Sequence, residues 1–283
     1  MQTRPHSSGI VLAASVVCLL TGVAGAQESP STATISVCGF SNGGTIAPCK
    51  IAYRTFGTLN AAKDNAVLVP TWILGRSEEW APFLGPTGIV NTDLCYVIVV
   101  DALGDGRSQS PSNTAAHSRS GFEALTIGDM VQSQYRLLTE KCGIHQLHAV
   151  VGVSMGGMQA IEWAVRYPTF VSHVVAIAGT PRFSAYDRLL WTTMRATIDE
   201  GLQGGLSPDA IWLQLTRIDA LHARTPRGVN QAPPSSVDQE VTASARTYRG
   251  AWALEDYRAQ KRARGQGTRG GSMAAFGGQE SSR

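Results

Sequence analysis

A serine between two glycines is the feature of this sequence that most directly suggests chemistry. Residues 152–156 read G-V-S-M-G, which is a G-x-S-x-G pattern with Ser154 at its centre. A buried strand is predicted up to Val153 and a helix directly after Ser154, so a tight turn would lift the serine oxygen out of the sheet. We therefore predict that Ser154 is a nucleophile that attacks a carbonyl carbon. A plain glycine-rich turn is the alternative.

Backbone N–H groups from two loops are candidates for stabilising the negative oxygen that forms when a serine attacks a carbonyl. The N–H of Met155 lies at the start of the predicted helix, where peptide N–H groups have no partner within the helix. A second donor is expected in the loop after the strand at residues 66–72, and Ile73 is the candidate there. An ordinary loop with an apolar residue at position 73 is the alternative.

Alternating strands and helices are predicted around these residues, in the rhythm of a mainly parallel sheet with helices on both faces. Runs of β-branched residues, such as AVLVPTW at residues 66–72, indicate strands that are buried on both faces. Thr126 and Asp129 form a predicted capping box at the start of one helix. The predicted strands are residues 50–58, 66–72, 94–100, 147–153 and 173–178, and the predicted helices are residues 126–142, 155–167, 182–201 and 208–223.

The composition excludes several classes of protein. Of the 283 residues, 43% are hydrophobic and 16% are charged, which excludes wholesale disorder. A net charge of +3 is too small for a dedicated nucleic-acid-binding protein. No apolar run reaches the roughly 18 residues of a membrane-spanning helix. Neither the histidines nor the cysteines have metal-site spacing, so we expect no metal. We also expect no organic cofactor, because attack of a serine on a carbonyl carbon needs none.

The first 26 residues have the pattern of a secretory signal peptide. Arg4 lies in a leading segment without acidic residues, residues 10–20 are almost continuously apolar, and Ala24 and Ala26 are the small residues of a cleavage site. We predict a secreted or periplasmic protein that begins at Gln27 and has no membrane association after cleavage. An uncleaved anchor is the alternative.

Four cysteines remain after the predicted leader, and in an exported chain an even number permits disulfides. Cys38 and Cys49 flank a turn-rich stretch between two strand-like segments, so a bridge between them is the favoured pairing. The alternative is that these two residues, Cys95 and Cys142 are all small buried apolar residues.

Several stretches of the sequence match a known family. They are residues 53–60 (YRTFGTLN), 85–86 (GP), 91–93 (NTD), 125–131 (LTIGDMV) and, most tellingly, 149–165 (AVVGVSMGGMQAIEWAV) followed by 167–168 (YP). Over residues 51–225 the chain therefore resembles the homoserine O-acetyltransferase-like branch of the α/β-hydrolase superfamily. The loop at residues 101–108 (DALGDGRS) also resembles the superfamily's D-x-x-G-x-G-x-S loop, which shapes the pocket floor and is not catalytic.

The resemblance implies an α/β-hydrolase fold with helical lid segments, and acyl transfer through Ser154 with a histidine base that an aspartate orients. The substrate would be a small-molecule ester or thioester, and because the family is often dimeric a homodimer is an option. In the family's lid an arginine and a tyrosine hold the amino-acid acceptor, whereas Ala210 and Arg217 stand at those places here. Ester hydrolysis with water as acceptor is therefore favoured. The alternatives are a homoserine O-acetyltransferase using acetyl-CoA as co-substrate, and an inactive binding protein.

The aspartate and histidine of the triad are not found in the sequence. After Ser154 only two histidines follow: His173 opens a predicted strand at the wrong end of the sheet, and His222 lies near the end of a lid helix. His222, with Asp219 or Asp199 beside it, is a weak fallback for the base. We therefore predict a poor catalyst whose sheet lacks its last strands and has an exposed edge.

The predicted organisation follows from these observations. A leader spans residues 1–26, and an α/β core spans residues 27–225, of which about 181–225 begin the helical lid. Residues 226–236 are predicted as a loop and residues 238–259 as one polar helix. The whole segment at residues 226–283 is predicted as a polar, Arg/Gly-rich end that is partly disordered or truncated.

Overall fold

The computed structural model describes residues 30–265. The predicted leader at residues 1–26 and the end of the Arg/Gly-rich segment, residues 266–283, lie outside the described residues. Between Pro30 and Gly265 no helix combines the length and the apolar character that crossing a bilayer requires.

A six-stranded, mainly parallel sheet forms the centre of the fold, as the sequence predicted. The strands are β1 (Ser31–Ile35), β2 (Cys38–Gly39), β3 (Thr45–Ile46), β4 (Cys49–Phe56), β5 (Ala66–Pro70), β6 (Tyr96–Val100), β7 (Leu147–Val153) and β8 (Val171–Ile177), of which β2 and β3 form a separate two-stranded sheet. The order of the central sheet is β1-β4-β6-β5-β7-β8, in which β1 and β4 run antiparallel to their neighbours and β6, β5, β7 and β8 are parallel. The strand that leads to Ser154, β7, is interior because β5 and β8 flank it.

Alternate residues of the central strands fill two separate cores, which explains why these strands are apolar throughout. Leu68, Ile98 and Val150 point to one face, where they pack with residues of two helices, including Met130 and Trp163. Side chains of the other parity pack on the opposite face with Trp80, which lies in a 3-10 helix. The sheet is thereby held rigidly from both sides.

The helices follow the predicted rhythm up to residue 223. Thr126 and Asp129 form the predicted capping box, with the Asp129 N–H donating to Thr126 Oγ1 over 3.1 Å. The helices are α1 (Ile127–Leu137), α2 (Met155–Arg166), α3 (Ala185–Gln203), α4 (Pro208–Ala223), α5 (Pro226–Val229), α6 (Pro234–Ala251) and α7 (Leu254–Gly265). Shorter 3-10 helices span Ser77–Phe83, Pro111–Asn113 and Ala116–Ala124, and a π-helical turn spans Leu138–Cys142.

The prediction of one polar helix over residues 238–259 is wrong. The structure has two helices there, α6 and α7, and the chain between them is extended at Trp252, where φ is −138° and ψ is 145°. Trp252 packs against a hydrophobic cluster instead of continuing the helix. The predicted loop at residues 226–236 also contains the short helix α5.

A second hydrophobic core lies among the helices that follow the sheet. It joins apolar residues of α3, α4 and α7, including Trp191, Trp212 and Tyr257, to Leu74 in the loop after β5. We call α3, α4 and α7 the helical layer. Because α7 belongs to this layer, the segment after residue 225 is packed at least as far as Arg264, although the domain boundary itself stays a prediction.

Two further predictions concern the first hairpin and the last strand. Cys38 and Cys49 form the favoured disulfide, with their Cα atoms 5.6 Å apart, whereas Cys95 and Cys142 are free and partly buried. Strand β8 is the outer strand of the sheet within residues 30–265. Its side chains from Ser172 to Ile177 are exposed, as expected for the outer strand of a sheet.

Candidate active site

Ser154 sits on a strained turn between β7 and α2. Its backbone has φ of 55° and ψ of −119°, a conformation that costs energy for a residue with a side chain. The Ser154 N–H donates to the Ile177 carbonyl oxygen over 2.9 Å, which fixes the turn against β8. The hydroxyl is therefore presented by the backbone at the carboxyl end of β7, where the sequence predicted it.

The two glycines of the pattern are required by the close approach of backbone segments. A Cβ atom on Gly152 would lie 2.1 Å from the Gly156 carbonyl oxygen. A Cβ atom on Gly156 would lie 2.3 Å from the Pro70 carbonyl oxygen, at the end of β5. Both distances are far below a van der Waals contact. Because the contacted atoms belong to the backbone, no side-chain rotation could relieve the clash. The elbow is thus locked between the sheet and α2.

The predicted oxyanion donors have free N–H groups. Met155 is the first residue of α2, and Ile73 lies with Ser154 in the wall of one cavity. Within residues 30–265, neither the Met155 N–H nor the Ile73 N–H is engaged in a hydrogen bond. The neighbouring Leu74 N–H is occupied, because it donates to Gln260 Oε1 over 2.6 Å. The structure brings these residues together, and their role in catalysis stays a prediction.

Buried amide side chains hold the loop that carries Ile73. Gln159 of α2 donates through Nε2 to the Thr71 carbonyl oxygen over 3.1 Å, and its Oε1 accepts a bond from Gln134 of α1 over 2.6 Å. Gln260 of α7 accepts from Leu74 and donates to the Leu103 carbonyl oxygen over 3.2 Å. The sequence analysis did not identify these amides, because a glutamine in a helix has no spacing that distinguishes a structural role.

A cavity of about 310 Å³ opens in front of Ser154. Its floor is the end of the sheet with Ser154 and Ile73, and its roof is the helical layer. The residues of that layer in the cavity wall are Trp191, Trp212, Asp219, His222, Tyr257, Lys261 and Arg264. A larger cavity of about 480 Å³ lies between α4 and α6, but no residue of the predicted site lines it.

The histidines fall in different places. His222 lines the cavity near the carboxyl end of α4, with its ring 5.5 Å from that of Trp191. No hydrogen bond links His222 to Ser154 in the described part of the chain. Asp219 lines the same cavity, whereas Asp199 is bonded to Arg258 over 2.6 Å and is no partner for His222. His173 is in β8 opposite Ala149, well before the end of β7, and does not line the cavity.

Two cations of α7 reach the cavity although their side chains are almost fully buried. Lys261 is 3% exposed, with its ammonium 4.2 Å from the centroid of the Trp191 ring and 4.7 Å from that of Tyr257. Arg264 is 8% exposed, with its guanidinium carbon 3.9 Å from the Trp191 centroid. Burial lowers the pKa of Lys261 to about 7 and that of Arg264 to about 10. The sequence alone does not indicate either residue, because a polar, Arg/Gly-rich segment is typical of an unpacked end.

The loop at residues 101–108 has a structural role. The Asp101 carboxylate accepts bonds from the Ser77 N–H over 2.7 Å and from the Ser77 hydroxyl over 2.8 Å. Burial raises the pKa of Asp101 to about 6 against the lowering by these bonds. Burial also raises the pKa of Asp105, which holds the loop through the N–H groups of Arg107 and Ser108. These carboxylates lie outside the wall of the Ser154 cavity.

Comparison with known proteins agrees with this geometry. A family model described as alpha/beta hydrolase fold matches residues 80–269. A probable esterase of Corynebacterium glutamicum is 40% identical over 184 residues, which cover 63% of this chain and 53% of the esterase. The ethyl acetate hydrolase of Pseudomonas veronii is 44% identical over 162 residues, which cover 56% of this chain and 46% of the hydrolase.

Solved structures show the same likeness over more of the chain. An acetylester hydrolase from Corynebacterium glutamicum superposes with a TM-score of 0.73 at 30% identity, covering 83% of this chain and 72% of that one. Homoserine O-acetyltransferases are also among the relatives by sequence. The chain spans about half the length of the esterase and the ethyl acetate hydrolase. The resemblance noted in the sequence is confirmed, and the chain belongs to the alpha/beta hydrolase family.

Proposed function

We propose that the protein is a serine-dependent acyl hydrolase that acts on small-molecule esters. The observation that carries this proposal is the position of Ser154, on a strained elbow that faces a cavity with two unoccupied N–H groups beside it. The relatives described as esterase and as ethyl acetate hydrolase support water as the acceptor. The alternative acceptor, homoserine, finds no arginine at position 210, where the sequence has Ala210.

The reaction would proceed in two steps. Ser154 Oγ attacks the ester carbonyl carbon and passes its proton to water, which returns a proton to the alcohol as it leaves, and the oxyanion is held by the N–H groups of Met155 and Ile73. Collapse of this intermediate breaks the bond to the alcohol, which leaves with a proton, and an acyl group stays on Ser154. Water then attacks the acyl group in the same way and releases the acid. No metal or organic cofactor enters these steps.

The rate in this proposal is limited because no base is hydrogen-bonded to Ser154 among residues 30–265. His222 lies in the cavity wall but is not hydrogen-bonded to Ser154 within the described residues. A serine hydroxyl without a hydrogen-bonded base stays protonated near neutral pH and is a weak nucleophile. The oxyanion donors and substrate binding alone supply about 10³–10⁴-fold over water. We therefore expect slow acylation.

A fluorophosphonate probe, followed by mass spectrometry, tests the proposal. Slow labelling at Ser154 is expected, with none in Ser154→Ala. The matched control Ser235→Ala removes an exposed hydroxyl and should label as the parent chain does. His222→Ala should label at the parent rate, whereas rapid labelling that His222→Ala abolishes would show that His222 acts as the base. An unlabelled Ser154 in a folded chain would contradict the proposal.

Hydrolysis of 4-nitrophenyl acetate, compared with transfer from acetyl-CoA to homoserine, separates the two acceptors. We expect nitrophenol release without O-acetylhomoserine.

We also propose that the reaction occurs outside the cytoplasm. The leader pattern at residues 1–26 supports this location, and the disulfide between Cys38 and Cys49 is typical of an oxidising compartment.

A further inference from the structure

Helix α7 carries basic residues of two kinds. Arg258 and Arg262, on its outer side, are paired with carboxylates: Arg258 with Asp199 over 2.6 Å and Arg262 with Glu123. Lys261 and Arg264, on its inner side, have neither an ion-pair partner nor a hydrogen-bond acceptor among residues 30–265. On this one helix the two more exposed cations have ion-pair partners, whereas the two most buried cations, Lys261 and Arg264, have none among the described residues.

Aromatic rings account for only part of the environment of these two cations. The faces of Trp191 and Tyr257 attract positive charge, which offsets some of the cost of burying it. A ring face supplies no hydrogen-bond acceptor, however, and Arg264 Nε and Trp191 Nε1 are both buried without one. A buried charge is normally accompanied by a counter-ion and by acceptors for its protons. This part of the cavity wall therefore has more hydrogen-bond donors than acceptors.

The acidic residues nearby do not supply the counter-ion. Asp219 raises the pKa of both cations through space, but its carboxylate is more than the 4.0 Å of an ion pair from either. Asp187 influences Arg264 in the same way from α3. Glu79 lies elsewhere in the cavity wall, where its carboxylate accepts the Arg76 N–H over 2.9 Å. The other polar groups of the roof include the Tyr257 hydroxyl and His222, which add donors or acceptors but no negative charge.

We propose that Lys261 and Arg264 form an anion subsite in the Ser154 cavity, which selects esters that carry a carboxylate at the far end of the acyl chain. This inference rests on the proposed role of Ser154. The carboxylate would lie against the two cations and supply the acceptors they lack, while the ester carbonyl lies at the elbow. A cavity of about 310 Å³ suits half-esters of short dicarboxylic acids and little more. The subsite adds no step to the reaction and only positions the acyl chain.

Two matched substrates test the proposal with the full chain. Mono-4-nitrophenyl adipate and 4-nitrophenyl hexanoate have acyl chains of the same length and differ by the terminal carboxylate. The second-order rate of nitrophenol release, corrected for the buffer rate, is measured for both at about pH 6, below the value of about 7 to which burial lowers the pKa of Lys261. We expect the adipate to react faster, and Lys261→Met or Arg264→Met to lower the ratio of the two rates by about 10-fold or more.

Three controls make this result specific. Arg188→Met removes an exposed cation of α3 and should leave the ratio unchanged. Lys261→Arg keeps the charge and should retain the preference for adipate at least in part. Circular dichroism establishes that each variant is folded, and because the two cations are substituted separately, a fold defect in one leaves the other to decide. A ratio that neither variant changes would overturn the proposal.

A binding measurement separates this proposal from the proposed function. Free adipate, and 1,6-hexanediol as its neutral counterpart, are titrated while tryptophan fluorescence is recorded, since Trp191 lies against both cations. Adipate binding that Lys261→Met weakens, in a chain that hydrolyses neither ester, would support the subsite and contradict the hydrolase. Ester hydrolysis without adipate binding or adipate preference would support the hydrolase and overturn the subsite.

Discussion

The floor and the roof of the Ser154 cavity are built in opposite ways. The floor is made of backbone, because Gly152, Ser154 and Gly156 lie where β5, β7 and α2 approach within van der Waals distance. The roof is made of side chains, with both cations of α7 lying against the Trp191 ring. A backbone floor admits almost no substitution, whereas a side-chain roof can change in charge and shape while the elbow stays intact. Reaction type should therefore depend on the floor and substrate choice on the roof.

The largest effect should come from breaking the floor. In Gly156→Ala the new Cβ would lie 2.3 Å from the Pro70 carbonyl oxygen, so β5 or α2 must move. We expect a loss of about 4 kcal/mol or more in the free energy of unfolding, together with the loss of fluorophosphonate labelling at Ser154. Urea denaturation, followed by circular dichroism, measures the first quantity.

The control for this variant is Gly250→Ala in α6, where a new Cβ meets nothing within 4 Å. Because alanine favours helix over glycine, the free energy of unfolding should rise by about 0.5–1 kcal/mol. Equal stability of Gly156→Ala and Gly250→Ala would show that the elbow is not locked by contact with Pro70.

A smaller effect, of opposite sign, should come from neutralising the roof. Burial lowers the pKa of Lys261 to about 7, whereas an unfolded lysine titrates near about 10.4. Between these values the unfolded chain holds a proton that the folded chain has lost, so stability rises as the pH increases. Lys261→Met should remove this rise, which amounts to about 3 kcal/mol between about pH 7 and 9.5, and should be more stable than the parent chain near pH 7.

Denaturation at several pH values measures this difference. Asp219 and Tyr257 face Lys261 and remain in the variant, as do Arg264 and His222, so the comparison isolates the lysine. Lys50→Met, which removes an exposed lysine of β4, should keep the slope of the parent chain. Parallel pH profiles for parent and Lys261→Met would show that Lys261 is not desolvated.

The smallest of the three effects should come from the loop that supports the floor. Burial raises the pKa of Asp101 to about 6 from an ordinary value of 3.8. The folded chain therefore holds a proton that the unfolded chain loses, and stability falls as the pH rises from about 4 to about 6. In Asp101→Asn this fall should be smaller by about 2 kcal/mol. Asp238→Asn, at an exposed position, should match the parent, and an unchanged fall in Asp101→Asn would contradict the assignment.

The contrast between floor and roof also explains what the sequence predicts and what it does not. The succession of strands and helices along the chain, the elbow at Ser154 and the cap at Thr126 all depend on residues that are neighbours in sequence. Local patterns therefore predict them. Lys261 comes within reach of Ser154 only because the chain turns at Trp252 and α7 packs on α3 and the loop after β5. Nothing in the spacing of RAQKRARG, residues 258–265, distinguishes the two inward cations from the two outward ones.

Two features that the sequence predicts incorrectly share this cause. A continuous polar pattern at residues 238–259 favoured one helix, and only the burial of Trp252 in the second core breaks it. The sequence offers Asp199 as a partner for His222, whereas α7 brings Arg258 to it. Both features depend on contacts between residues that are far apart in the sequence, and local sequence patterns do not predict such contacts.

The two hydrogen bonds of Gln260 join the helix that roofs the cavity to the backbone beside the proposed oxyanion donor. This one side chain, on the roof helix, ties down Leu74 beside the proposed donor Ile73 and grips Leu103 in the loop after β6. If α7 lifts, the Leu74 N–H loses its acceptor and the backbone next to Ile73 is released. Opening of the cavity to bulk water would then also disturb the position of the Ile73 N–H. Exclusion of water and stabilisation of the oxyanion would therefore be coupled.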